Sequence, residues 1–332
     1  MPIDIHTHIV PHDFPARPSS RERRWPSMEE GGDCGHRTVI IDGKAFRTVS
    51  GDCWDPGRRI EAMDRCGVTA QALSPMPELL SYWFAPEDAA TLATAVNATI
   101  GSMVETVPNR FVGLGMIPMQ APDLGARALE ALMCDGRFRG IEIGTNVNGV
   151  SIADSRFDPV FAAAQHTGAA IFVHALHPAG EVHMLGPPAL RAMAAFPCET
   201  ALAIAALIAS GTLTRFPRLR IAFSHGGGAF GLLLPRLMQG WNVLASLREA
   251  IAEPPSEIAR RLYYDSLVYD AATLRFLVEQ FGERQVMIGT DYPFDIFERA
   301  PLRRLRDTGL PDATLALLED VNARRFLGLP DQ

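Results

Sequence analysis

Eight short runs of apolar, β-prone residues recur along the chain, most of them followed by a helical pattern, and no other feature narrows the fold as far. The runs are Ile3–His6, Val68–Ser74, Phe111–Ile117, Gly140–Gly144, Ala170–His174, Leu219–Ser224, Leu262–Ser266 and Val286–Thr290. Several are apolar almost throughout, which suits parallel strands covered on both faces. Between them the helical segments carry their own punctuation. Pro56–Met63 runs to a stop at Gly67, and Pro86–Val107 enters through proline with Glu87 and Asp88 in its first turn. Asp158–Thr167, Cys198–Ser210 and Ala271–Phe281 each end at a glycine. Alternating β and α elements with short links predict a parallel α/β sheet, and eight strands favour closure into a (β/α)8 barrel. A length of 332 residues fits one such barrel, residues 1–332, with room for an insertion.

The rhythm breaks in two places. Residues 12–55 hold no prompt helix after the first run. Instead Thr38–Val49 reads as a hairpin, with Asp42-Gly43 as its turn between alternating apolar residues. A small β-rich insertion folded over the barrel mouth is expected there. The second break is His177–Pro197, a loop rich in Pro and Gly after the fifth run.

Charge and cysteine usage exclude several classes. A net charge of −7 argues against a nucleic-acid partner. The five cysteines, Cys34, Cys53, Cys66, Cys134 and Cys198, are scattered without a CxxC pair, so free thiols in a reducing compartment are expected. The N-terminus lacks the basic and apolar regions of a secretion signal. The longest apolar stretch, Ala201–Ala209, is far shorter than the roughly 20 residues a membrane span needs. A soluble cytoplasmic protein, with no membrane partner, is the expectation.

Polar residues gather where a barrel keeps its active site, at the C-terminal ends of the strands. His6-Thr7-His8 ends the first run, His174 the fifth, His225 follows the sixth and Asp291 the eighth. Residues two apart in a strand share a face, so His6 and His8 can reach one ion together. Alone, an HxH pair is equally readable as two surface histidines, Asp291 as a helix N-cap, and His225 as ligand, base or core residue. Placed together at one mouth they predict a site for one divalent ion, held by His6, His8, His174 and Asp291, with His225 beside it as the acid–base residue. Imidazole with carboxylate suits Zn2+ best, with other first-row divalent ions also accommodated. Lys44 is the only lysine, and the fourth run ends Ile141-Glu142-Ile143-Gly144-Thr145. No lysine there bridges two ions, so a mononuclear site is expected. His12, His36 and His166 lie off strand ends and read as surface or structural, and His177 and His183 sit near the mouth. Gly226-Gly227-Gly228 lacks the spacing of a phosphate loop and reads as a place of close backbone approach.

These residues also carry a resemblance. Asp4-Ile5-His6-Thr7-His8, Phe223-Ser224-His225-Gly226-Gly227-Gly228 and Gly289-Thr290-Asp291-Tyr292-Pro293-Phe294 resemble the amidohydrolase superfamily, and within it the branch typified by 2-amino-3-carboxymuconate-6-semialdehyde decarboxylase. The likeness runs nearly end to end and includes Phe46-Arg47, Trp54-Asp55-Pro56, Arg59-Ile60-Glu61, Met63-Asp64 and Gly67-Val68. It implies a distorted TIM barrel with a small β insertion after the first strand. It implies that His6, His8, His174 and Asp291 are zinc ligands and that His225 is the catalytic histidine that activates zinc-bound water. It implies that Arg47 and Arg236 grip a substrate carboxylate, the second from the partner subunit of a homodimer. A guanidinium fork fits that task. Ala175-Leu176-His177-Pro178 and the loop from Gly180 to Ala195 depart from the type enzyme, which leaves the substrate open.

The expected function is a zinc-dependent, non-oxidative decarboxylase of an unsaturated or aromatic carboxylic acid, without organic cofactor. The alternative on the same site is a metal-dependent hydrolase that splits a C–C, ester or amide bond. A metal-holding scaffold is a third reading, disfavoured because a scaffold needs neither an open ligand position nor an adjacent base.

Overall fold

The computed structural model describes residues 1–18, 24–31 and 35–330. In chain order its strands are β1 (Ile3–Ile9), β2 (Ser27–Glu30), β3 (His36–Ile41), β4 (Lys44–Ser50), β5 (Ala70–Pro75), β6 (Phe111–Gly115), β7 (Phe138–Gly144), β8 (Asn146–Val147), β9 (Val150–Ser151), β10 (Ala170–His174), β11 (Arg220–Phe223), β12 (Tyr263–Asp265) and β13 (Val286–Met287). Eight of them form one parallel sheet in the order β1-β5-β6-β7-β10-β11-β12-β13. The sheet closes on itself. Ile5 N–H donates to Ile288 O at 2.9 Å and His8 N–H to Tyr292 O at 2.7 Å, so β1 pairs with the chain that leaves β13. The expected (β/α)8 barrel is therefore present, and each of the eight runs overlaps a strand of it. The last strand is shorter than its run, because the chain after Met287 meets β1 through isolated bridges rather than a ladder.

Helices at Pro56–Cys66, Pro86–Thr106, Asp158–Thr167, Phe196–Ala209 and Ala271–Phe281 fall on the expected segments. Their ends follow local chemistry. Asp55 caps Pro56–Cys66 by accepting from Gly57 and Arg58 N–H, and Gly67 closes it at φ 74°. The helix at Phe196–Ala209 continues an upstream turn, so one helical run covers Arg191–Ala209. At 19 residues it is longer than the apolar stretch Ala201–Ala209 and by length and composition alone could cross a membrane, a property it shares with buried core helices. Its Ala201, Ala203, Ile204, Leu207 and Ile208 are buried within the protein core.

β1 changes phase as it crosses the barrel. Its register with β5 shifts between Asp4 and Thr7. Ile3 and Ile5 accordingly join Phe172, Ala222, Met287 and Phe326 in an apolar floor, whereas His6 and His8 occupy the opposite end. An irregularity of this kind re-aims side chains without ending the strand. Phe326 and Leu327, from the helix Asn322–Leu327, belong to the same buried cluster, so that helix covers the floor.

β2, β3 and β4 make a separate antiparallel sheet. Its β3–β4 turn is the expected Asp42-Gly43, with φ 55° and 68°, both left-handed as a two-residue hairpin turn of this hand requires. Cys53, Cys66, Cys134 and Cys198 are free thiols, as expected, and Cys34 lies outside the described residues.

Candidate metal centre

Three imidazoles converge because each has its far nitrogen anchored. His6 Nδ1 lies 2.6 Å from Asp265 Oδ2, His8 Nδ1 3.0 Å from Pro75 O and His174 Nδ1 2.9 Å from Ala175 O. A carbonyl or carboxylate accepts only, so each Nδ1 carries a proton and each Nε2 is the nitrogen whose lone pair, in the neutral ring, is free for an ion. His6 Nε2 and His8 Nε2 stand 3.1 Å apart. Asp291 Oδ1 lies 3.1 Å from His8 Nε2 and 3.6 Å from His6 Nε2. The ligand atoms of His6, His8, His174 and Asp291 all fall within 4.8 Å of one another, and all four residues are buried. Donors at about 2.1 Å from a shared ion span edges of roughly 3.0–3.4 Å, so the two 3.1 Å separations suit a cation. Two buried lone pairs facing each other without a proton or ion between them would repel, and the donor chemistry thus fits a bound divalent ion.

Electrostatics agree with this arrangement. Burial drives His8 and His174 toward the neutral form, His174 strongly, with neighbouring imidazoles adding to the effect. Burial opposes the charge on Asp291, yet the His8 hydrogen bond and the nearby histidines hold its carboxyl well below the ordinary range. His6 behaves differently. Burial works to lower it, but Asp265 outweighs burial and raises it above the usual imidazole value.

His225 stands next to the cluster, its ring centroid 5.1 Å from that of His174 and 5.3 Å from that of His6. Its backbone sits at φ 56°, and Asp291 at φ 64°, a region that non-glycine residues seldom occupy. Both are held there by specific bonds. Asp265 accepts from His225 N–H at 2.9 Å and Gly226 N–H at 2.8 Å, and Asp291 N–H donates to His6 O at 2.9 Å. The glycines after His225 allow close approach, as expected, since a Cβ on Gly228 would collide with Pro197 O.

One cavity of about 480 Å3 opens over His174, His225 and Asp291, a size suited to a small organic ligand. Phe46, Phe196, Phe294 and Ile296 give it apolar walls, and Arg47 and Glu78 give it charge. Phe294 stacks on His8 with ring centroids 5.2 Å apart, and the Arg47 guanidinium lies 4.1 Å from the Phe294 centroid. β4 and the turn Pro77–Leu80 thus bring Arg47 and Glu78 to a site whose donors come from β1, β10 and the chain after β13.

A family model described as amidohydrolase matches residues 3–329. The chain belongs to the amidohydrolase family. This amidohydrolase is 37% identical to 2-amino-3-carboxymuconate-6-semialdehyde decarboxylase of Dictyostelium discoideum, over 98% of this chain and 91% of that protein. Among solved structures it resembles 5-carboxyvanillate decarboxylase from Sphingomonas paucimobilis, at TM-score 0.77 and 29% identity over 84% of this chain and 85% of that one. It shares the fold of 5-carboxyvanillate decarboxylase from Novosphingobium aromaticivorans, at TM-score 0.74 and 24% identity over 84% of this chain and 82% of that one, a structure complexed with manganese.

The remaining sequence candidates of this amidohydrolase are placed differently. Arg236 lies exposed on the helix Phe230–Val243, beside Leu233, Leu237 and Val243, and does not line the cavity of its own chain. His177 accepts from Arg191 at 3.1 Å and opens on a neighbouring cavity with Trp83 and Asn146, while His183 is exposed. His12 is a surface residue paired with Asp13. Two buried carboxylates had no assigned role. Asp265 ends β12, and its position at a strand terminus was the available signal. Glu142 on β7 is buried beneath the site, its Oε2 3.6 Å from His8 Nδ1, and burial lifts its carboxyl to about 8.

Proposed function

We propose that this protein is a metal-dependent carboxy-lyase that releases CO2 from an unsaturated or aromatic carboxylic acid without an oxidant. The observation that carries the proposal is one cavity in which His174 and Asp291 of the four-donor cluster, His225 and Arg47 line a chamber with aromatic walls. Homologues named as decarboxylases, among them the Dictyostelium discoideum protein, support the reaction class.

In this reading His6, His8, His174 and Asp291 hold a single divalent ion. Zinc is the proposed metal on the strength of the imidazole and carboxylate donors. When bound, the ion supplies fixed positive charge that stabilises negative charge developing on the substrate. Arg47 orients the substrate carboxylate through its fork and is itself steadied on the Phe294 ring. The phenyl walls flatten the substrate and exclude water. His225 exchanges the proton. Burial keeps its ring neutral, and its Nδ1 has no partner among the described residues, so it can take up a proton there and return it to the carbon that loses CO2.

Arg236 completes the site only if it comes from another subunit, since it faces away from the cavity of its own chain. Exposed Leu232, Leu233, Val243 and Leu244 surround it, an apolar surface that a second copy would bury. A homodimer in which Arg236 reaches the partner's cavity follows. The described part of segment 12–55 is the proposed insertion over the mouth, with β4 contributing Phe46 and Arg47 to the cavity.

The test is product analysis. Metal-loaded protein is supplied with muconate-like and hydroxybenzoate-like acids, and released CO2 is measured alongside new acid groups. CO2 release abolished by His225→Ala supports the carboxy-lyase. New acid without CO2 would replace it with the hydrolase.

A further inference from the structure

We propose that Glu78 is a specificity-determining residue, so that Arg47 and Glu78 together read a carboxylate and a neighbouring N–H or O–H donor on the same substrate. The inference rests on the carboxy-lyase reading for the presence of an acid in the cavity, and it adds a second required group.

Glu78 sits in the short turn Pro77–Leu80 that follows β5, and its side chain is 15% exposed. Its Oε1 is 4.0 Å from an Arg47 terminal nitrogen, an ion-pair distance too long for a hydrogen bond. Its Oε2 is buried and has no hydrogen-bond partner among the described residues. Buried polar atoms are almost always satisfied, and because Glu78 lines the ligand cavity, a donor that arrives with the ligand best explains its unpartnered carboxylate. A carboxylate beside Arg47 also opposes the binding of a simple anion. The guanidinium and the carboxylate together present a donor edge next to an acceptor edge. The complement of that pair is an acceptor and a donor on adjacent or nearby carbons, as in an amino- or hydroxy-substituted unsaturated acid. A substrate with a methyl ether or hydrogen in place of the donor leaves Oε2 unpaired after water has been expelled, and sites of this type discriminate strongly against such analogues.

The experiment measures binding of benzoate and of 2- and 3-hydroxy-, amino- and methoxybenzoates to the metal-loaded protein by calorimetry, with Glu78→Gln and Glu78→Leu alongside. The expected result is that, in at least one positional series, the donor-bearing acid binds about tenfold or more tightly than its methoxy analogue. Glu78→Leu should abolish that ratio and Glu78→Gln, which keeps an acceptor, should retain part of it. An unchanged ratio in Glu78→Leu overturns the proposal. So does an equal loss for every acid including benzoate, which would mean that Glu78 only steadies Arg47. Because the readout is binding, absence of CO2 release would overturn the carboxy-lyase reading while leaving this one standing.

Discussion

His6 Nδ1 and Asp265 Oδ2 lie 2.6 Å apart with neither side chain reaching solvent, and the same carboxylate accepts the backbone N–H groups of His225 and Gly226. One residue outside the donor cluster thus fixes both a proposed ligand ring and the position of the proposed acid–base histidine. Burial opposes its ionisation, but the His6 hydrogen bond and charge, with the Gly226 and His225 contacts, keep it ionised below the usual carboxylate pKa.

Asp265→Asn preserves shape but weakens the acceptor for His6 and offers a mismatched amide to His225. Loss of such outer partners typically costs about 10–100-fold in metal affinity. Competition against a chromophoric chelator measures it. Unchanged affinity would show that the bond is incidental.

Metal uptake should be linked to proton release. In the metal-free protein Asp265 raises His6 above the ordinary imidazole pKa despite the opposing effect of burial, so the ring is protonated at neutral pH. Because Asp265 accepts at Nδ1, the proton that must leave is the one on Nε2. Below the raised pKa the apparent affinity should rise about tenfold per pH unit, and flatten above it. Calorimetry in buffers of different ionisation enthalpy counts the proton. A flat profile between about pH 7.5 and 8.5, where an unshifted imidazole with a pKa of roughly 6.5 is already neutral, would contradict the assignment.

How far the sequence carried this picture depended on whether a residue's role was set by its strand. His6, His8, His174, His225 and Asp291 were legible because a parallel barrel sends every strand terminus to one mouth. Asp42-Gly43 was legible because the turn demands those φ values. Asp265 carried only the signal of its strand terminus, since one acidic residue after Tyr263-Tyr264 has no spacing, and its partners appear only when β12 lies against β11. Glu78 belongs to the same class, as its neighbour Arg47 arrives from a sheet that joins the barrel through tertiary contacts alone. The phase change inside β1 was hidden too, because nothing in Ile3-Asp4-Ile5-His6-Thr7-His8 marks the register shift that appears only in its pairing with β5.

Arg59 should prove a structural keystone. Its fully buried guanidinium donates to His8 O at 2.8 Å, Thr7 Oγ1 at 2.9 Å, Asp52 O at 3.0 Å and Gln71 Oε1 at 3.2 Å, tying the metal-bearing end of β1 to the insertion and to β5. Arg59→Leu leaves those acceptors without donors. A loss of at least about 1–3 kcal/mol is expected, the usual cost of leaving a buried acceptor unsatisfied. Urea denaturation of the metal-free protein reads it, and a loss under about 1 kcal/mol would mean that water replaces the guanidinium without penalty.

Substitution of His225 separates catalysis from metal binding. The ring lies beside the donor cluster without its Nδ1 engaging any described residue, and burial lowers its pKa, so the neutral base is the resting form at neutral pH. His225→Ala removes the proton carrier while leaving His6, His8, His174 and Asp291 and their anchors in place. Metal content by elemental analysis should match the parent protein, and kcat should fall by about 10^2–10^4-fold, the usual contribution of a placed acid–base group. In the parent, kcat/KM should fall as acid protonates the ring, with the midpoint below the ordinary imidazole value because burial depresses it. Loss of metal together with activity would instead make His225 a fifth ligand, and the base would have to be sought elsewhere in the cavity.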